Sequence, residues 1–154
     1  MSERSAVHST FAIERIYEAT PARVFSAWAE PEAKASWFGP KVLTGSDHKL
    51  DFRVGGEEHL RVTASDGAIY LFDSRYEDIV AQQRIVYSYD MHRNEDRISV
   101  SLATVVLEPH GSGTKLTFTE QGVFLDGHDT PAAREHGTGE LLDSLGEKLS
   151  EEPS

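Results

Sequence analysis

The feature that most constrains the fold is a long run of strand patterns followed by a single helical pattern. Residues 42–121 form successive extended segments joined by short turns, including Asp66–Gly67, a pair that favours a two-residue hairpin. These turns leave no room for crossover helices, so we expect about six consecutive antiparallel strands. Leucines then recur at helical spacing, at Leu141, Leu142, Leu145 and Leu149. The sequence thus predicts a meander whose apolar face is covered by one terminal helix.

The segment before the meander predicts one more strand and two short helices. The alternating pattern of STFAIERIYEA indicates a half-buried strand. Thr20 and Pro21 are typical of a helix start, because a threonine caps well and proline suits the first helical position. Pro31 ends that helix and starts a second, which carries Trp37 and Phe38 to a Gly-Pro turn.

Together these elements predict the α+β helix-grip fold, in which a curved antiparallel sheet wraps round a long C-terminal helix. The chain shows no repeat, linker or break in composition. We therefore expect a single domain over residues 9–149, with frayed tails at 1–8 and 150–154.

Composition narrows the function classes. The 154 residues include no cysteine, which excludes disulfides, thiolate metal sites and a cysteine nucleophile. A formal net charge of −11 disfavours nucleic-acid binding, because phosphates would be repelled. The chain has neither a signal-peptide pattern nor an apolar run of membrane-spanning length. We expect a soluble cytoplasmic protein that binds neither nucleic acid nor membrane.

Four motifs carry a resemblance to a known family: ATPARVFSAW (19–28), WFGP (37–40), DFRVGG (51–56) and LLDSLGEKL (141–149). Over residues 10–149 the chain resembles the START-like (SRPBCC) superfamily. Within it, the chain is most similar to the family named after the activator of the heat-shock protein 90 ATPase. The resemblance implies an apolar cavity between the sheet and the last helix. Members of this superfamily include binding proteins, cyclases and co-chaperone domains, so the fold alone does not assign a function.

The last helix is where this sequence departs from the family pattern. Members usually carry a Gly-Trp pair before the leucines, whereas here the pair is Gly137–Thr138. The stretch HGTGELLDSL places two glycines within the helix, each costing about 0.8–1 kcal/mol relative to alanine. Small residues at these positions predict either close helix–sheet contact or open space, and Thr138 favours space. We therefore expect a cavity beneath residues 134–141.

Strand alternation predicts which side chains face this cavity. Aromatic residues that share a strand face are the natural walls, and the short segment after Pro31 is placed at the mouth by the resemblance. Packing of Trp28 and Trp37 in the core is the commoner role for such residues, and a lid role for Trp37 and Phe38 is the alternative. The predicted ligand-binding residues are Trp37, Phe38, Phe52, Tyr70, Phe72, Tyr87, Tyr89, Phe118, Thr138 and Leu141.

Three polar residues are weak candidates for acid–base chemistry: His48, Glu120 and His136. His48 shares its strand face with apolar residues and Glu120 shares the face of Phe118, so both are predicted to point inward. The alternative for His48 is a half-exposed strand residue. Asp126, His128 and Asp129 form an acidic loop near His136, but they lack a recognised ligand spacing, so we predict no metal and no cofactor.

The predicted function is binding of a small, largely apolar molecule, and the sequence contains no hydrolase, nucleotide-binding or dinucleotide-binding motif. Two alternatives remain open. One is a protein-interaction role resembling that of the heat-shock protein 90 activator, with a protein partner. The other is a cyclase- or hydrolase-type enzyme that uses the histidine and glutamate candidates.

Overall fold

The computed structural model describes residues 4–39 and 44–151, without the side chains of 44–46. The described chain forms seven strands and three helices in a strand, two-helix, six-strand, helix order. The elements are β1 (Ala6–Tyr17), α1 (Pro21–Ala29), α2 (Pro31–Ala35), β2 (Thr44–Leu50), β3 (Glu57–Thr63), β4 (Ile69–Val80), β5 (Arg84–Arg93), β6 (Asp96–His110), β7 (Gly113–Leu125) and α3 (Pro131–Glu151).

All seven strands belong to one antiparallel sheet in the order β1-β7-β6-β5-β4-β3-β2. The six strands from β2 to β7 form the predicted meander, and each pairs with its neighbour in sequence. β1 then adds to the far edge of β7, from Ala6 opposite Leu125 to Tyr17 opposite Thr114. The helix-grip architecture predicted from the sequence is confirmed.

The first two helices begin where the sequence predicts. The Thr20 hydroxyl accepts a hydrogen bond from the Arg23 backbone N–H at 3.2 Å, and proline occupies the first turn of α1 and of α2. α2 ends at Ala35, so Trp37 and Phe38 lie just beyond it rather than on the helix. Their positions at the end of a short turn bring both rings under the sheet.

α3 packs its leucines against the concave face of the sheet. Leu142, Leu145 and Leu149 are buried, while Leu141 is partly exposed. The Tyr17 hydroxyl donates a 2.7 Å hydrogen bond to the Leu142 carbonyl, which fastens the helix to β1. No helix among the described residues is long and apolar enough to cross a membrane.

Two local predictions differ from the structure. The connection at Asp66–Gly67 is longer than a two-residue hairpin, because residues 64–68 form the loop and the Ala64 N–H bonds to the Ala68 carbonyl. The predicted strand 42–53 is shorter, since β2 ends at Leu50 and the chain turns before Gly56. Residues 42 and 43 of that prediction lie outside the described residues.

Candidate ligand-binding cavity

A cavity of about 760 Å³ lies between the concave face of the sheet and α3. That volume is within the range of small-molecule sites. Its wall includes most of the side chains predicted for it, namely Trp37, Phe38, Tyr70, Phe72, Tyr87, Tyr89, Phe118, Thr138 and Leu141. Trp28 and Met91 add to the same wall. The aromatic rings come from three strands and the α1–α2 region, so the sheet curvature itself shapes the space.

The tryptophan pair joins the core to the cavity. The rings of Trp28 and Trp37 meet edge to face with centroids 4.8 Å apart, and both residues are buried. The Trp37 indole N–H donates to the Ala27 carbonyl at 2.9 Å, which fixes its orientation. Trp28 and Trp37 therefore both pack in the core and line the cavity. A lid role for Trp37 stays a prediction.

Phe52 is placed differently from its prediction. It lies beyond the end of β2, and its ring packs edge-on against Phe25 and Tyr76, with centroids 5.5 and 4.9 Å away. It is not part of the cavity wall. The alternation used to predict its direction does not apply after the strand ends at Leu50.

The N-terminal half of α3 leaves the space that its small residues suggest. Arg134, Gly137, Thr138 and Leu141 all line the cavity. A Cβ built on Gly137 would meet no atom within 4 Å. By contrast, a Cβ on Gly146 would lie 3.1 Å from the Tyr17 ring, so the helix packs closely at that point. Open space therefore lies at Gly137, whereas the helix packs closely against Tyr17 at Gly146.

One end of the cavity is polar, and we call its five residues the Glu120 network: Glu120, Tyr89, Arg134, Ser99 and Asp129. The Tyr89 hydroxyl donates to Glu120 Oε1 at 2.7 Å and accepts from Arg134 Nη1 at 2.9 Å. Arg134 also reaches Glu120 Oε2 at 3.4 Å, Ser99 Oγ at 2.7 Å and Asp129 Oδ2 at 3.0 Å. A carboxylate that is only 2% exposed is thus held at the cavity wall by a tyrosine and an arginine.

Burial dominates the electrostatics of this network. Loss of water raises the pKa of Glu120, although Arg134 and the Tyr89 hydrogen bond oppose the increase. Burial, reinforced by the nearby carboxylate, also raises the pKa of Tyr89. Tyr89 therefore remains a neutral hydrogen-bond donor, while Glu120 loses its charge at a higher pH than an ordinary glutamate does.

A second buried cluster lies behind the aromatic wall, and we call it the Lys34 network: Lys34, Glu58, Tyr76 and His48. Lys34 Nζ donates to Glu58 Oε1 at 2.5 Å, and the Tyr76 hydroxyl donates to the same oxygen at 2.8 Å. His48 Nε2 lies 2.7 Å from Glu58 Oε2. Because an ionised carboxylate only accepts, this contact assigns the proton to Nε2. The network links α2 to β2, β3 and β4.

Burial shifts the pKa values of both Lys34 and Glu58 in this network. Burial lowers the pKa of Lys34, and the adjacent carboxylate opposes that decrease. Burial alone would raise the pKa of Glu58, but the Lys34 charge and the hydrogen bonds from His48, Lys34 and Tyr76 outweigh it, so the pKa falls below its ordinary value. Glu58 is consequently ionised and paired.

Aromatic faces complete the surroundings of the lysine. Lys34 Nζ lies 4.2 Å from the ring centroid of Phe38 and 5.3 Å from that of Trp28. Both rings also line the cavity. A cation close to an aromatic face is stabilised by the ring quadrupole, more strongly when water is excluded. The Lys34 network therefore positions rings that face the ligand space.

The three weak catalytic candidates are not brought together. Glu120 alone lies on the cavity wall. His48 belongs to the separate Lys34 network, with its side chain 10% exposed. His136 is 79% exposed and lies 3.4 Å from Glu140, one turn along α3. This arrangement provides no shared acid–base pair among the predicted residues.

The acidic loop makes structural contacts. Asp126 bonds to the Arg4 side chain and the Ser5 backbone N–H, each at 2.9 Å, and Asp129 pairs with Arg134. Within the described chain, the residues whose ligand atoms cluster closely enough for a metal are Asp73, Asp90 and His92, on the sheet. Two of these already have partners, since Asp73 bonds to His59 and Asp90 to Arg97.

Sequence reasoning missed Lys34, Glu58 and Arg134. Lys34 and Glu58 are fully shielded from solvent, and Arg134 is 9% exposed. The sequence positions of Glu58 and Arg134 gave a partial indication that they lie near the cavity. Glu58 shares its strand face with Leu60 and Val62, two apolar cavity-wall residues, and Arg134 precedes Thr138 by one helical turn. Charged residues on apolar faces are normally taken as surface groups, because burial requires a partner that the sequence does not reveal.

Comparison with protein-family models gives a match over residues 18–150, to the family described as activator of Hsp90 ATPase homolog 1-like protein. The chain belongs to this family. The resemblance expected from the sequence motifs is therefore confirmed, and the match includes α1, the cavity wall and most of α3. A search of curated proteins finds no match.

Solved structures of similar proteins support the same fold. A protein from Rhizobium leguminosarum is 47% identical, with 98% of this chain and 100% of that chain covered and a TM-score of 0.94. A protein from Rhizobium loti is 45% identical over 94% and 99% of the two chains, with a TM-score of 0.88. A protein from Chromobacterium violaceum is 26% identical over 94% and 98%, with a TM-score of 0.80. This member of the Hsp90-activator-like family thus shares its whole fold with bacterial proteins.

Proposed function

We propose that this protein binds a small, largely apolar molecule in the cavity between the sheet and α3. The observation that carries the proposal is the combination of about 760 Å³ of space with mainly aromatic walls and one polar end, the Glu120 network. Ligand sites are typically apolar clefts in which a few fixed polar groups set the orientation. The Tyr89–Glu120–Arg134 contacts provide such fixed groups.

Titration with Nile red, a neutral apolar dye whose emission rises in dry surroundings, tests this proposal. We expect saturable binding to the unaltered protein. Thr138→Trp should abolish binding or weaken it severalfold, because the new ring extends from α3 into the cavity. Leu102→Trp is the matched control, since it adds a ring at a side chain that is 37% exposed on β6.

Leu141→Phe provides a second filled variant in case Thr138→Trp fails to fold. Circular dichroism and thermal unfolding would establish that each variant keeps the native structure. Absence of saturable binding to the unaltered protein would refute the proposal. Equal binding by the folded, filled variants would place the dye elsewhere and refute it as well.

A co-chaperone-like protein interaction is the second candidate, favoured by the family match itself. The large exposed apolar side chains among the described residues are Val7, Ile16, Val54 and Leu102. They come from β1, the turn after β2, and β6, so they belong to three separate parts of the chain. Retained binding of an Hsp90-type chaperone by the filled variants would favour this second function.

A further inference from the structure

Most of the charged side chains that line the cavity are negative. The described lining residues include several carboxylates and a single guanidinium, that of Arg134. The carboxylates are those of Glu120, Asp129, Glu140, Asp143 and Glu147. Asp143 lies 2.8 Å from Arg15, so part of this charge is balanced at the rim. Among the described residues, the inner end holds Glu120 and Asp129 against Arg134 alone.

Arg134 has little capacity left for an anionic ligand. Its Nη1 contacts the Tyr89 hydroxyl and Glu120, and its Nη2 contacts Ser99 and Asp129. Each terminal guanidinium nitrogen carries two N–H groups, so these partners engage all of them. A ligand carboxylate that bound these terminal nitrogens would have to displace a buried protein acceptor, which would then lose its own hydrogen bond.

Glu120 differs from Arg134 because it can accept a further hydrogen bond. Tyr89 and Arg134 use one position on each oxygen, Ser101 adds a further hydrogen-bonding interaction, and the Arg134 contact is long at 3.4 Å. An ionised carboxylate offers about four lone-pair positions. The polar end of the cavity therefore presents acceptor capacity and negative charge, while the four terminal N–H groups of Arg134 are already engaged.

The aromatic walls also favour a cationic ligand over an anionic one. The rings of Phe38 and Tyr89 already face cations of the protein itself: Lys34 Nζ at 4.2 Å and the Arg134 guanidinium carbon at 5.7 Å from the respective centroids. Aromatic cages are a common means of recognising ammonium groups. Carboxylate ligands gain nothing from such faces, because the ring quadrupole repels negative charge.

We infer that the cavity selects apolar molecules that carry an amine or ammonium group over carboxylic acids with the same skeleton. This inference rests on the proposed binding function and adds the chemical class of the ligand. The decisive features are the acceptor capacity of Glu120, the engaged donors of Arg134 and the aromatic walls. A neutral alcohol with the same skeleton should bind with intermediate affinity.

Displacement of Nile red by phenylbutylamine, phenylbutanol and phenylbutyrate tests this selectivity at neutral pH and moderate salt. These compounds share one apolar skeleton and differ in the charge of the terminal group. We expect the amine to bind at least about tenfold more tightly than the carboxylate, the scale of one buried charge contact. Equal affinities, or tighter binding of the carboxylate, would overturn the inference.

Charge-neutralising variants locate the origin of the selectivity. Glu120→Gln should bring the amine-to-carboxylate ratio towards one, whereas Glu108→Gln, at an exposed position on β6, should leave it unchanged. Asp129→Asn serves as a second variant if Glu120→Gln does not fold. An unchanged ratio in the folded cavity variants would overturn the inference. Binding of Nile red and the alcohol without amine preference would leave the proposed function intact, whereas no binding by any probe would refute both.

Discussion

The ammonium nitrogen of Lys34 lies 2.5 Å from Glu58 Oε1, and both side chains are fully buried. Removing one member of a buried ion pair leaves the other without compensation, at a cost of about 3–5 kcal/mol. We therefore expect Lys34→Met to lower the free energy of unfolding by about that amount, measured by chemical denaturation. Arg53→Met is the matched control, because the Arg53–Asp51 pair is mostly exposed and should change stability by less than about 1 kcal/mol.

The double variant Lys34→Met/Glu58→Gln separates loss of the pair from loss of packing. It removes both charges and keeps an acceptor for the Tyr76 hydroxyl, so it should be more stable than Lys34→Met alone. Lys34→Met keeps the Glu58 charge without a partner. If the double variant is as unstable as Lys34→Met, that uncompensated charge is not the cause of the lost stability.

The lowered pKa of Glu58 predicts loss of stability in acid. Its ordinary value is 4.5, and the folded-state pKa lies below it. The ionised carboxylate therefore stabilises the fold fully above about pH 4.5, and this contribution disappears as the pH falls through the folded-state pKa. Unfolding free energies measured from about pH 6 to about pH 3 should fall more steeply for the unaltered protein than for Glu58→Gln. Parallel curves would contradict the prediction.

Binding of an amine should also weaken in acid, for a different reason. The pKa of Glu120 is raised by burial, so its charge is lost at a higher pH than that of an ordinary glutamate. Tyr89 from β5, Arg134 from α3 and Asp129 before α3 surround it, and Arg134 keeps its charge throughout. The affinity for phenylbutylamine should therefore decrease as the pH is lowered through the pKa of Glu120. Phenylbutanol affinity should change little, and an equal decrease for both compounds would contradict this account.

The open space beneath α3 predicts opposite outcomes for two glycine-to-alanine changes. Gly137→Ala adds a methyl group where no atom lies within 4 Å. Its free energy of unfolding should therefore rise by most of the helix-propensity difference between glycine and alanine, about 0.8–1 kcal/mol. Gly146→Ala places its methyl group 3.1 Å from the Tyr17 ring, so crowding should cancel or reverse that gain. Thermal unfolding of the two variants provides the comparison. An equal gain in both would show that α3 is not closely packed at Gly146.

The order of elements was predictable because each depends on local patterns. Thr20 with Pro21 marks a helix start through its own hydrogen bonding, and the leucine spacing of α3 needs no distant partner. The inward face of Tyr70 and Phe72 also followed from alternation. The register shift in β4 falls after Tyr76, so these two residues keep one parity.

The polar parts of the site were harder to predict because they depend on tertiary partners. Lys34 and Glu58 are separated by residues 35–57, and only the folded sheet brings them together. Arg134 meets Tyr89 and Ser99 through the packing of α3 over β5 and β6. A single sequence shows the charges but not their pairing, and an unpaired charge is expected at the surface.

The pairing of β1 with β7 has a consequence for synthesis of the chain. Ala6 meets Leu125, so β1 leaves the ribosome well before β7 and has no partner strand until nearly all of the described sheet has been made. At about 5–20 residues per second, that interval is on the order of ten seconds. During this time the apolar face of Phe11 and Ile13 is without its final cover. The nascent chain should therefore be most prone to misassociation, and most dependent on chaperones, immediately before β7 emerges.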